Sequence, residues 1–345
     1  MTGALTWARL SYRQQRWELL LVALAVVGVV AAMVYFASTL GALRAASPDC
    51  LAGTGGAPVA FPDETGPPAA CQAILEDYYA TEGMASNLVS LAWAAPFGMG
   101  VLLGAPVVAR EIDGRTAQLA WSLSRSRVSW LLRRIGFIAL FALGLLTVLA
   151  VGSEFLAAAM QPDRTLDQDF TWFGRRGLPV VARGFGAIMI GVLVGAFIGR
   201  VLPAILASAA AIGLVFVGVS LVHDQWNRSE AVVQRFWDDG GTPVAFGFGA
   251  LDVDYGLQRL DGEFVSYGEA YTSGLLNETY QDELGQVYAS VADFEAGRVF
   301  GHDARLSIPG ERYPELVLRD SGGAGLVGLL ALGLTAVVVR TRAPR

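Results

Sequence analysis

The chain has 345 residues, 54% hydrophobic and only 16% charged, with a mean hydropathy of +0.47 and a formal net charge of −6. Soluble domains carry about 25% charge, so this composition excludes an ordinary water-soluble globule. Apolar residues in continuous runs of about 20, without period-two alternation, point to membrane-spanning helices and away from barrel strands.

Six runs are long enough to cross a hydrocarbon core of about 30 Å. They lie at about 19–42, 87–109, 135–158, 179–199, 201–222 and 323–340, which predicts an all-α membrane protein of six transmembrane helices. The first run follows a basic start with Arg9, Arg13 and Arg16, as a signal peptide would. It is longer than a typical apolar signal core and lacks a clean small-x-small cleavage site, so it is read as a retained span.

Orientation follows from the arginines, since the chain has no lysine. With both termini cytoplasmic, the inner segments hold 13 arginines and three acids (Glu18, Glu111 and Asp113), and the outer ones 12 arginines and 28 acids, or +10 against −16. Short loops near helix ends carry the positive-inside signal. The loop 110–134, REIDGRTAQLAWSLSRSRVSWLLRR, has six arginines and is therefore read as cytoplasmic. Leu119, Trp121 and Leu123 interleave there with polar residues ahead of Arg125, Arg127, Arg133 and Arg134, the pattern of a short helix lying on the inner surface with one face free for a partner.

Outside, a loop at 43–86 holds Cys50 and Cys71 among Pro and Gly. Two cysteines in one loop of an oxidising compartment favour a disulfide over two separate thiols. The large loop 223–322 has no spanning run and reads as a small ordered extracytoplasmic domain of unassigned fold, opening on a short amphipathic or re-entrant helix with Trp226, Phe236 and Trp237 as interfacial aromatics.

Several chemistries find no support. A phosphate-cradling P-loop needs a lysine, and there is none, so if nucleotide hydrolysis drives this protein, ATP and magnesium are bound on another chain. His223 and His302 are isolated, and with the cysteines bonded no zinc set remains. DVDYGLQRLDGE puts Asp252, Asp254 and Glu263 at three ligand positions of a calcium-loop template, but Gly256 and Leu257 occupy places that need a ligand and a turn glycine, so a solvated loop is favoured. No catalytic residues, resident cofactor or metal site are expected, and no nucleic-acid partner.

Within the spans, Glu154 and Arg183 lie near outer ends, where they can snorkel, and no span centre is ionisable. Gly191, Gly195 and Gly199 recur every four residues on the fourth span, a small-residue face for close helix packing, with packing inside one chain favoured over a dimer seam. Pro96 and Pro106 predict a kink in the second span.

The chain resembles the permease subunits of ABC-2 type transporters, in particular the six-span actinobacterial kind. The likeness rests on GAPVVAREIDGRTAQLAWSLSRSRVSW after span two, on GVLVGAFIGRVLPAILASA with Gly195, Gly199, Arg200 and Pro203 at the turn between spans four and five, and on RYPELVLRDSGGAGLVGLLALGLTAVVVRTRAPR at the end. The resemblance implies the membrane half of a plasma-membrane exporter, possessing a second permease chain (the same or a paralogue), membrane lipids and two cytosolic ATPase subunits as partners. By position it implies a connecting helix over 1–18 with Trp7, Leu10, Arg13 and Trp17, spans one to five over 19–222, an outer domain at 223–322, and span six with its tail at 323–345. Glu111, Asp113, Arg115, Leu119, Trp121, Arg125, Arg127 and Trp130 form the implied coupling segment to the ATPase. The export of an amphipathic, drug-like or lipid-like compound is the function expected. The alternatives are a membrane sensor or scaffold whose outer domain binds a ligand, and, less supported, an embedded enzyme.

Overall fold

The computed structural model describes residues 2–51, 69–122, 126–236, 249–276, 280–281 and 286–342. Its helices are α1 (Thr2–Ala46), α2 (Pro48–Leu51), α3 (Ala69–Met99), α4 (Ala105–Asp113), α5 (Ala117–Ser122), α6 (Arg127–Met160), α7 (Leu178–Ile198), α8 (Val201–Glu230), α9 (Tyr267–Thr272), α10 (Val291–Glu295) and α11 (Tyr313–Thr341). The chain divides into two compact units.

The first unit comprises Met1–Asp163, Trp172–Val219 and Glu315–Arg345. Among the described residues six helical stretches are long and apolar enough to cross a membrane: Gln15–Ala46, Cys71–Asp113, Arg127–Met160, Leu178–Ile198, Val201–Glu230 and Gly310–Thr341. They coincide with the six apolar runs, and several overrun them. α1 continues without a break through residue 18. α8 likewise continues through HDQWNRSE to Glu230, so the separate amphipathic or re-entrant helix expected after the fifth span is instead the last turns of that span's own helix.

The second span changes its winding for a local reason. Pro106 lacks an N–H and its ring would crowd the carbonyl four residues back, and a π-helical turn over Gly100–Gly104 widens the rod just before it. α7 packs against this turn. A Cβ on Gly100 would come within 2.6 Å of the Ala187 backbone, and one on Gly104 within 2.6 Å of the Ile188 carbonyl oxygen. From the other side, Cβ atoms on Gly191 and Gly195 would collide with the carbonyls of Gly100 and Ala105. Lipid removes the hydrophobic drive for helices to associate, so such backbone-to-backbone approach is a main source of cohesion. α7 is accordingly the central helix, with 56% of its apolar window buried against 11% for α8.

The second unit, Arg164–Thr171 with Ser220–Pro314, corrects the all-α expectation. It contains a six-stranded antiparallel sheet of β1 (Val232–Arg235), β2 (Leu251–Arg259), β3 (Phe264–Ser266), β4 (Tyr280–Gln281), β5 (Gln286–Tyr288) and β6 (Gly301–Ile308), so the protein is mostly rather than wholly helical. The order is β3-β2-β6-β5-β4, with β1 also pairing β6. Leu257, Val265, Ala270, Leu276 and Val287 form its small core. The stretch weighed as a calcium loop is mainly strand β2, where Asp252 pairs with Arg305 at 2.9 Å and Asp254 with Arg228 at 2.8 Å. His223 lies in α8 and His302 in β6, opposite Gln258.

Candidate coupling site

The loop 110–134 is an elbow built from α4, α5 and the start of α6. α4 buries Pro106 through Ala109 and ends on Arg110 to Asp113, half-buried until the exposed Asp113. The helix stops in a complete Schellman motif: the Thr116 N–H donates to the Glu111 carbonyl (3.1 Å) and the Arg115 N–H to that of Ile112 (3.1 Å). The residue held left-handed in this motif is usually glycine, yet here it is Arg115, with φ of 57°. After α5, Ser126 restarts the helix by accepting the Ser129 N–H at 3.1 Å, an N-cap for α6.

Polar contacts tie the elbow to the other helix ends. Glu111 pairs with the enclosed Arg134 at 3.0 Å and accepts the Thr116 hydroxyl at 2.5 Å. Arg110 pairs with Glu18 on α1. Asp113 accepts the Val201 N–H at 3.4 Å, at the start of α8. Arg127 donates to the Arg340 carbonyl at the end of α11 (3.3 Å) and to the Arg342 carbonyl just beyond it (2.8 Å), and lies 4.8 Å over the Trp121 ring. Trp121 meets Trp130 edge-to-face at 6.1 Å. Arg342 in turn donates to the carbonyls of Ala196 and Phe197 at the end of α7. Guanidinium groups thus cap the carbonyl ends of two spans, where the helix dipole favours positive charge.

The structure therefore gathers Glu111, Asp113, Arg115, Trp121, Arg127 and Trp130 into one elbow. Arg125 lies outside the described residues, as do the side chains of Leu119, Trp7, Leu10 and Arg13. Trp17 is 65% exposed on α1, with Arg16 5.2 Å over its ring. Gly191 and Gly195 serve the contact with the π turn. Gly199, φ of 69°, closes α7 left-handed and has Arg342 and Ile112 against it. Sequence reasoning assigned no site role to Glu18, Arg134 or Arg342. The partners of Glu18 and Arg342 lie far along the chain, 92 residues for Arg110 with Glu18 and 215 for Arg127 with Arg342, and Arg134 meets Glu111 only once the elbow folds back, so no local pattern records these pairings.

At the opposite end of this unit Cys50 and Cys71 are bonded, with Cα atoms 5.3 Å apart. Arg44 donates to the carbonyls of Ala159 (2.5 Å) and Met160 (2.8 Å). Glu154 and Arg183 are ion-paired, the first with the buried Arg176 at 2.7 Å and the second with Asp320 at 2.9 Å.

Six spanning helices held by glycine crossings, with an arginine-clasped elbow at one end, define a multi-pass membrane protein. The family model described as ABC-2 membrane transporter related matches residues 21–223, more than half of the chain, and the chain belongs to that family. The match takes in the elbow and the first five spans, except the start of the first and the end of the fifth, and stops before β1. No curated protein and no solved structure matches it.

Proposed function

We propose that the chain is the permease subunit of an ABC exporter, moving an amphipathic, drug-like or lipid-like compound across the plasma membrane with energy from ATP hydrolysed on a separate cytosolic subunit. The family supports an ABC transport role, and the elbow is the observation that carries the mechanism. It is held at α1, α6, α8 and α11 by Arg110–Glu18, Arg134–Glu111, Asp113 with the Val201 N–H, and Arg127 with the α11 carbonyls. A push on α5 or on the Arg115 turn is then shared among four spans rather than dissipated in a loose loop. The arginine excess supports a cytoplasmic position for this end. A complex of two permease chains and two ATPase subunits gives each ATPase one elbow.

The test is co-expression with a candidate P-loop ATPase subunit from the same genome, followed by reconstitution. The purified chain alone hydrolyses no ATP, Arg115→Glu uncouples hydrolysis from transport, and deletion of 115–124 abolishes transport. Undiminished transport after the deletion would sink the reading. Orientation is tested by Ser122→Cys, which an impermeant thiol reagent leaves unlabelled in intact cells if the elbow is cytoplasmic.

A further inference from the structure

An open cavity of about 1310 Å3 lies at the arginine-rich end of the first unit. Its wall is made where spans stop: Asp113 ends the second, Ile198 the fourth and Thr341 the sixth, while Arg200 directly precedes the fifth. That places the cavity at the boundary between apolar span and polar surface, the depth of lipid headgroups.

We propose that this cavity binds the phosphate headgroup of an anionic bilayer phospholipid. Three guanidinium groups, those of Arg115, Arg200 and Arg342, face one carboxylate, Asp113, which is already engaged by the Val201 N–H at 3.4 Å. Arg342 is partly committed to the carbonyls of Ala196 and Phe197. Arg115 and Arg200 are exposed, and neither side chain has an ion pair or hydrogen bond among the described residues. Arginine forks match phosphate oxygens two at a time, and basic pockets between spans are where anionic headgroups lodge.

The apolar part of the wall decides between a lipid and an acidic peptide. Phe197, 73% exposed, borders the cavity, and Leu202 and Leu206, 69% and 67% exposed, continue down α8 from its edge. A headgroup among the arginines can therefore lay its acyl chains along α8, whereas a soluble acidic segment has no use for that surface. The volume exceeds the roughly 300–1,000 Å3 of common small-molecule pockets, leaving room for a glycerophosphate with the start of its chains. The inference stands on span ends and charge, independently of any ATPase partner.

The experiment measures phospholipid retained by the purified full-length chain, by native mass spectrometry after extraction from vesicles of mixed phosphatidylglycerol and phosphatidylcholine. Phosphatidylglycerol is retained in preference, and Arg115→Gln with Arg200→Gln lowers its retention about tenfold. Arg16→Gln with Arg133→Gln removes the same charge outside the cavity and leaves retention unchanged. Equal retention of the two lipids by the unaltered protein overturns the proposal without reference to any variant. Displacement of the lipid by excess inorganic phosphate assigns the cavity to a soluble phosphate compound instead. Intact lipid retention in the double variant, with loss of ATPase capture, assigns it to the protein partner.

Discussion

Arg134 holds its guanidinium 3.0 Å from the Glu111 carboxylate, with the arginine side chain 2% exposed and the glutamate 12%. Removing one member of so enclosed a pair leaves the other charge without compensation, at a cost of about 3–5 kcal/mol. Glu111→Gln and Arg134→Gln should therefore each lower the apparent thermal midpoint in detergent by several degrees. Combining them should cost less than the sum, because the second change removes the charge the first stranded. Additive losses would mean that the two groups do not act as a pair.

Gly191 and Gly195 face the carbonyls of Gly100 and Ala105 with no room for a methyl group. Alanine at either position must push α7 away from the π turn, and overpacking of this kind costs about 1–3 kcal/mol. Gly213 on α8 has nothing within 4 Å of the equivalent position. Gly213→Ala should be neutral, or stabilise by up to about 1 kcal/mol through helix propensity. Midpoints measured on the three single variants check the contrast; equal effects would refute the close crossing.

The spans and the elbow were legible in the sequence for one physical reason. Continuous apolarity and clustered arginine are properties of neighbouring residues. The glycine stripe was legible too, but not its counterpart, since a π turn at Gly100–Gly104 leaves no mark beyond its glycines and Pro106. The sheet was missed although β2 carries a strand alternation in Leu251, Val253, Tyr255 and Leu257. A bulge between Asp252 and Asp254 breaks its register, the acidic residues match part of a calcium-loop pattern, and β4 has only two residues. Ion pairs such as Arg110–Glu18 depend on which helices become neighbours, which one sequence does not state.

Arg115 occupies a left-handed backbone conformation, φ of 57°, that costs a non-glycine residue roughly 1–2 kcal/mol. Surroundings tolerate such strain where the side chain is used. Arg115→Gly should relieve the strain and leave the thermal midpoint equal or higher, while lowering ATPase-driven transport in the reconstituted complex. A merely structural arginine gives the reverse pattern: transport retained whatever happens to stability.

Tyr267 donates its hydroxyl to Asp303 at 2.6 Å, and burial first, then that hydrogen bond, raises the phenol above its ordinary value of 10.0. The folded chain therefore keeps a proton that the unfolded chain gives up. The stability this supplies is fully present below about pH 10 and is lost as the pH climbs through the raised value, at up to roughly 1.4 kcal/mol per pH unit. Tyr267→Phe forgoes the hydrogen bond, worth about 1 kcal/mol, at neutral pH but has no phenol to ionise. Its deficit against the parent protein should accordingly shrink above pH 10. Alkaline phenolate absorbance supplies the direct check: the parent titration contains a late phenol that the variant lacks. Identical titration of the two proteins beyond the ordinary tyrosine range would show that the Tyr267 hydroxyl is open to water rather than held by Asp303.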